Sequence, residues 1–164
     1  GGNVLGCRLA AGGDDERHRL RERVGVLGHR NGLYLDLTVT ENVRFWATTV
    51  GADHRAVDAA LERLELGGRL ADLPARRLSA GQARRCAFAC FVVRRPHLWL
   101  LDEPHTGLDA ASRDRLDEVI VAAAAAGATV LVASHDQDRA SVIATRTVHL
   151  DGGAVASGEP GSGA

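Results

Sequence analysis

The chain has 164 residues, 45% of them apolar and 25% charged, which is enough to bury the core of one globular domain. A formal net charge of −1 leaves no electrostatic footprint for nucleic acid, which calls for a basic excess or stripe. No window approaches the roughly 18 apolar residues of a membrane-spanning helix, so any membrane link is expected to run through a partner. The start carries no basic segment followed by an apolar run, so no signal peptide is expected. Cys7, Cys86 and Cys90 are odd in number and lack metal-type spacing, which speaks against a disulfide framework or a zinc site and fits a reducing cytoplasm.

In chain order, Val24-Gly25-Val26-Leu27-Gly28 reads as a short buried strand, and Asn31-Gly32 marks the loop behind it. From about residue 40 to 92 the pattern is helical. Val43, Trp46, Ala47 and Val50 recur at helix spacing, Val57, Ala60, Leu61 and Leu64 do so again, and Gly67-Gly68 supplies a stop. This stretch predicts a small helical subdomain, with Pro74 closing the loop before Leu78-Ser79-Ala80-Gly81-Gln82. Cys86 and Cys90 share one face of the helix that follows, and two packed thiols are expected there instead of a redox pair. The pairs Arg76-Arg77, Arg84-Arg85 and Arg94-Arg95 read as solvated helix ends and faces.

Beyond Pro96 the rhythm becomes strand, helix, strand. Leu98 to Leu101 leads to a helix with Leu116, Val119, Ile120 and Ala123 on one face, and then to Val130–Ala133. Such alternation predicts a parallel sheet with a right-handed crossover and a ligand site at the carboxyl ends of its strands. Val148-His149-Leu150 and Ala154-Val155-Ala156 flank Asp151-Gly152-Gly153 as a hairpin, and residues 157–164, rich in Gly and Ser, read as a flexible tail.

Four short motifs carry chemistry. Asp102 and Glu103 stand at the exit of an apolar strand, where one carboxylate suits Mg²⁺ and the next suits a water to be polarised. Leu78-Ser79-Ala80-Gly81-Gln82 opens a helix and reads either as an anion-binding N-terminus or as a plain Ser N-cap. Asp109, in Gly107-Leu108-Asp109, reads as an N-cap. His135 follows the Val130–Ala133 strand, where it reads as a hydrogen-bond partner for a phosphate oxygen or as a structural side chain.

In this order the four resemble the signature, Walker B, D-loop and switch-histidine motifs of ATP-binding cassette (ABC) ATPases. The resemblance implies an α/β P-loop NTPase fold of the ABC ATPase kind, with residues about 40–92 as the helical subdomain carrying the signature and 93–156 as part of the core. It implies ATP and Mg²⁺ as cofactors, Glu103 and His135 as catalytic residues and Asp102 as the metal ligand. Leu78, Ser79, Ala80, Gly81, Gln82, Asp109 and His29 would contact nucleotide. It also implies two partners, a second nucleotide-binding domain in a head-to-tail homodimer or heterodimer and a transmembrane subunit that holds the protein on the cytoplasmic face of the cell membrane. ATP hydrolysis would then drive transport.

The phosphate-binding loop G-x-x-x-x-G-K-[ST] has no counterpart here, and the chain contains no lysine. A domain truncated at its N-terminus, inactive without that loop, is therefore expected, with Gly1-Gly2-Asn3-Val4-Leu5-Gly6 falling where the family has a short strand. His29 stands where the family's Q-loop glutamine is normally found. Leu27-Gly28-His29, Leu37-Thr38, Glu41-Asn42, Arg44-Phe45, the Ser-Ala-Gly-Gln signature and Pro96 to Pro104 are together similar to the CcmA-type branch, the haem-exporter ATPases of cytochrome c biogenesis. That branch follows the histidine with glutamine, whereas this chain has Arg30. Two other readings remain: a degenerate, non-catalytic ABC subunit that offers its signature to a competent partner, and a DNA-repair ATPase. The latter would need long heptad segments between His29 and Leu78, and none is present.

Overall fold

The computed structural model of the chain describes residues 23–160, which fall into two units, Val24–Ala133 and, from Ser134 onward, a smaller one. Cys7 and the strand expected at Gly1–Gly6 lie outside the described residues.

In the larger unit, β1 (Val24–Leu27), β2 (Leu98–Asp102) and β3 (Thr129–Ala133) form a parallel sheet in the order β1-β2-β3. The register sets Val26 beside Leu100 and Leu100 beside Leu131. Between β1 and β2 run α1 (Val39–Thr49), α2 (His54–Arg63), two 3₁₀ turns and α3 (Ala80–Arg94), and α4 (Ala110–Ala125) crosses from β2 to β3. Each helix starts at a side-chain cap that satisfies an orphan amide: Thr38, Asp53, Ser79 and Asp109. Thr38 with Glu41 and Ser79 with Gln82 make reciprocal capping boxes.

Helix α3 lies at the centre. Its apolar residues go all the way round instead of forming one stripe, and Cys86, Ala87, Phe88, Ala89, Cys90, Phe91 and Val93 are all buried. It packs against α1 and α2 on one side and meets the sheet on the other. There the Phe91 and Trp99 rings stand edge to face at 5.2 Å, and Trp99 Nε1 donates to Pro96 O at 2.9 Å. Burying Phe88 alone is worth about 1.5–3 kcal/mol. The helix ends at Arg95, whose left-handed φ of 47° ahead of Pro96 turns the chain into β2.

The run of helices between β1 and β2 and the parallel sheet follow the sequence reading, but β1 is not buried on both faces. Gly25 and Leu27 are covered, whereas Val26 is 66% and Leu131 58% exposed, because no described element covers their side of the sheet. The thiols of Cys86 and Cys90 are buried, and the Cys86 hydrogen bond, together with burial, pushes the Cys90 thiol well up.

In the smaller unit, α5 (Gln137–Ile143) is capped by Asp136, and β4 (Arg146–Asp151) pairs antiparallel with β5 (Ala154–Pro160). Gly152 and Gly153, with φ of 55° and 84°, supply the two left-handed residues that a tight hairpin turn requires. Strand β5 runs through Pro160, paired with Arg146, so the first part of the expected tail is strand. A backbone ladder needs no apolar side chains, which is why composition alone misread it.

Candidate functional site

The parallel strands β1 and β2 deliver their carboxyl ends side by side, and each continues into a turn. After β2 come Asp102, which is exposed, and Glu103, which is half-buried. Glu103 has a φ of 47°, in the left-handed region that a side chain with a Cβ adopts at a cost of about 1–3 kcal/mol. Three hydrogen bonds hold that conformation. Its amide donates to Ala133 O at 2.9 Å, and its carbonyl oxygen accepts from the Thr106 amide at 3.2 Å and from Arg84 Nη2 at 2.7 Å.

Arg84 is the residue the sequence reading placed wrongly. It is not solvated but 4% exposed, and all five of its N–H donors are used. Nε donates to Pro104 O at 3.1 Å, Nη1 to Gly28 O at 2.7 Å and Asn31 Oδ1 at 3.1 Å, and Nη2 to Asp102 O at 2.9 Å as well as Glu103 O. Burial lowers its pKa, while the Asp102 and Glu103 charges act the other way. The neighbouring pairs correct the reading further. Arg85 donates to Leu64 O at 2.9 Å, and the Arg94 guanidinium lies 4.4 Å over the Trp46 ring. Arg76, Arg77 and Arg95 are exposed, as expected. The available signal for Arg84 was its place on a helix whose apolar residues run all the way round.

The turn is pinned at its far side by His105, 7% exposed, whose Nε2 lies 2.7 Å from Asp117 Oδ1 on α4. The His105 Nδ1 is buried without a hydrogen-bond partner. Nothing in the motif pattern singled out this pair.

The Leu78–Gln82 turn lies in the same unit. The Ser79 hydroxyl accepts from the Gln82 amide at 3.2 Å and Gln82 Oε1 from the Ser79 amide at 2.9 Å, so the N-cap reading is realised. Gly81 packs so closely on the Gly107–Leu108 segment that an added Cβ would stand 3.2 Å from Gly107 O. Asp109 caps α4 through the Ser112 amide at 2.8 Å. That bond, the Ser112 hydroxyl, and the charges of Arg85 and Arg115 hold its carboxyl below the usual range. His29 is exposed in the turn after β1, directly behind the Gly28 carbonyl that Arg84 holds. His135 is exposed two residues beyond β3, in the smaller unit, where Asp136 N donates to Ser134 Oγ at 3.1 Å.

Among the described residues no three His, Cys, Asp or Glu side chains cluster as a metal cage, and no helix is long and apolar enough to cross a membrane. One exposed carboxylate at a strand end suits Mg²⁺, which is usually held by one or two carboxylates plus phosphate oxygens and water.

A three-stranded parallel sheet bound through a buried helix to a helical subdomain, with paired carboxylates at the strand end, is the arrangement of an ATP-binding cassette. The dimeric cassette MJ0796, solved in a post-hydrolysis state with ADP and Pi, has a similar structure, with a TM-score of 0.79 at 27% identity over 90% of this chain and 67% of that one. The family model described as ABC transporter matches residues 4–106. The chain is 41% identical to the cytochrome c biogenesis ATP-binding export protein CcmA of Paramagnetospirillum magneticum, over 90% of this chain and 67% of that protein. To the CcmA of Bordetella bronchiseptica it is 44% identical, over 78% and 58% respectively. It thus spans about two thirds or less of the relatives it matches. The chain belongs to the ABC transporter family, and within it is similar to CcmA.

Proposed function

We propose that this chain is part of the ATP-hydrolysing subunit of an ABC exporter of the cytochrome c biogenesis type, with haem as the expected cargo. The observation that carries the reading is the turn after β2, where Asp102 and Glu103 are presented at a strand end by a buried guanidinium. Asp102 would hold Mg²⁺, which when bound neutralises charge on the phosphates. Glu103 would accept the proton of a water aligned with the terminal phosphate, and His135 would bond a phosphate oxygen. His29 would stand in for the Q-loop glutamine. Leu78 to Gln82 and Asp109 would serve the nucleotide of a second such domain, head to tail in a homodimer or heterodimer. That geometry requires the dimer for hydrolysis.

A transmembrane subunit would hold the protein at the cytoplasmic face of the membrane. Support comes from an aromatic cluster on the surface of the larger unit. Tyr34 and Phe45 stand edge to face at 4.9 Å, Phe45 and Trp46 at 5.3 Å, and Tyr34 is 47% exposed. Anchors of this kind suit a protein interface. Crosslinking from position 34 in membranes should capture an integral membrane protein, and capture of soluble proteins alone would count against the role.

A second reading is a subunit that lends its signature to a competent partner. The experiment that separates the two extends the chain ahead of Gly1 with a relative's phosphate-loop segment. Mg²⁺-dependent ATP hydrolysis supports the catalytic reading; no hydrolysis alone, with stimulation of a partner cassette, supports the other.

A further inference from the structure

We propose that Arg84 is the positioning residue for Glu103: its guanidinium locks the Glu103 main chain in the left-handed conformation and ties that turn to the turn after β1. The proposal rests on the reading of Glu103 as the water-polarising carboxylate. A φ of 47° is not a conformation that glutamate holds unaided, and the 2.7 Å bond from Nη2 to Glu103 O is a charge-assisted bond to that strained residue. The same nitrogen holds Asp102 O, and Nε holds Pro104 O, so three consecutive carbonyls of the turn converge on one side chain. The remaining nitrogen reaches Gly28 O and Asn31 Oδ1 on the other side, next to His29.

The acceptors are five neutral oxygens, four main-chain carbonyls and the Asn31 amide oxygen. Their arrangement is therefore one of shape, and only the planar five-donor fork of arginine matches it. A lysine ammonium has three donors on a single nitrogen and does not span both turns. Arg84 projects from α3, whose first residues are the signature turn, so the clamp also joins the carboxylate to the element expected to meet a second subunit's nucleotide.

Two measurements on the 164-residue chain test the clamp without reference to ATP. In the wild-type chain, Arg84 should show separate, slowly exchanging guanidinium NMR signals, because all five protons are bonded; a single averaged signal of the solvated kind would overturn the proposal and needs no variant to fold. In Arg84→Lys, the Glu103 and Thr106 amides should exchange at least about tenfold faster, while amides in the middle of α1 and α2 stay within about twofold. Unchanged protection at Glu103 and Thr106, or an equal loss everywhere, would overturn it. Action through Glu103 is read in the extended, hydrolysing chain. Arg84→Lys should lower kcat about tenfold with KM for ATP within about twofold, and should add nothing in a Glu103→Gln background. Additive losses would refute that part. If the extended parent hydrolysed no ATP, the catalytic reading would fail, while the NMR and exchange results would still decide the clamp.

Discussion

Gly25 on β1 lies so close to Phe91 on α3 that an added Cβ would stand 2.6 Å from Phe91 Cε1, and 2.8 Å from Pro96 Cγ. The close approach seats the sheet on the central helix, toward the amino-terminal ends of the strands whose carboxyl ends carry the site. Gly25→Ala should therefore destabilise the fold by about 1–3 kcal/mol, the usual range for overpacking, and lower Tm by several degrees. Thermal unfolding followed by circular dichroism checks this. An unchanged Tm would mean that sheet and helix are not packed as described.

The Asp109 cap makes stability depend on pH in a definite direction. Its folded pKa is depressed, chiefly by the Ser112 amide, so its contribution is present above the unfolded carboxylate value of about 3.9 and is lost as pH falls through the lower folded value. Asp109→Asn keeps a good cap but no charge. The Tm difference between parent and variant should be constant from about pH 7 to 5 and shrink below about pH 4. A difference independent of pH would show that the charge contributes nothing there.

Cys86 and Cys90 should be inert while the chain is folded. Both are buried away from reagent, and the Cys90 thiol is in addition pushed up by its hydrogen bond with Cys86 and by burial. Alkylation with iodoacetamide at pH 8, read by peptide mass mapping, should be at least about a hundredfold slower at these two positions than after unfolding. Rapid labelling of either would contradict the packed-thiol arrangement.

Elements with a strong local signal were legible in the sequence. The helix caps at Ser79 and Asp109, the β2–α4–β3 alternation and the Gly152-Gly153 hairpin all follow from periodicity, caps and turn residues. The placement of Asp102 and Glu103 was legible as well, because they sit at a strand exit that hydrophobic runs predict. The clamp was not. Arg84 is one of several arginines, and its role depends on three carbonyls of one turn and two groups of another meeting at a single point, which no local pattern encodes. His105 with Asp117 was hidden for the same reason, since a helix side chain meets a loop across the fold. The left-handed Glu103 is likewise a tertiary result, set by Ala133, Thr106 and Arg84, and not a preference of glutamate.

The central claim is that Glu103 is the group on which hydrolysis turns, and steady-state ATP turnover of Glu103→Gln in the extended chain tests it most directly. The amide keeps the size of the carboxylate and much of its hydrogen bonding but does not accept the water's proton. The account predicts turnover reduced by roughly a hundredfold or more, with ATP still bound and an ATP-dependent dimer accumulating on size exclusion. Turnover at the parental rate, with no such dimer, would contradict it.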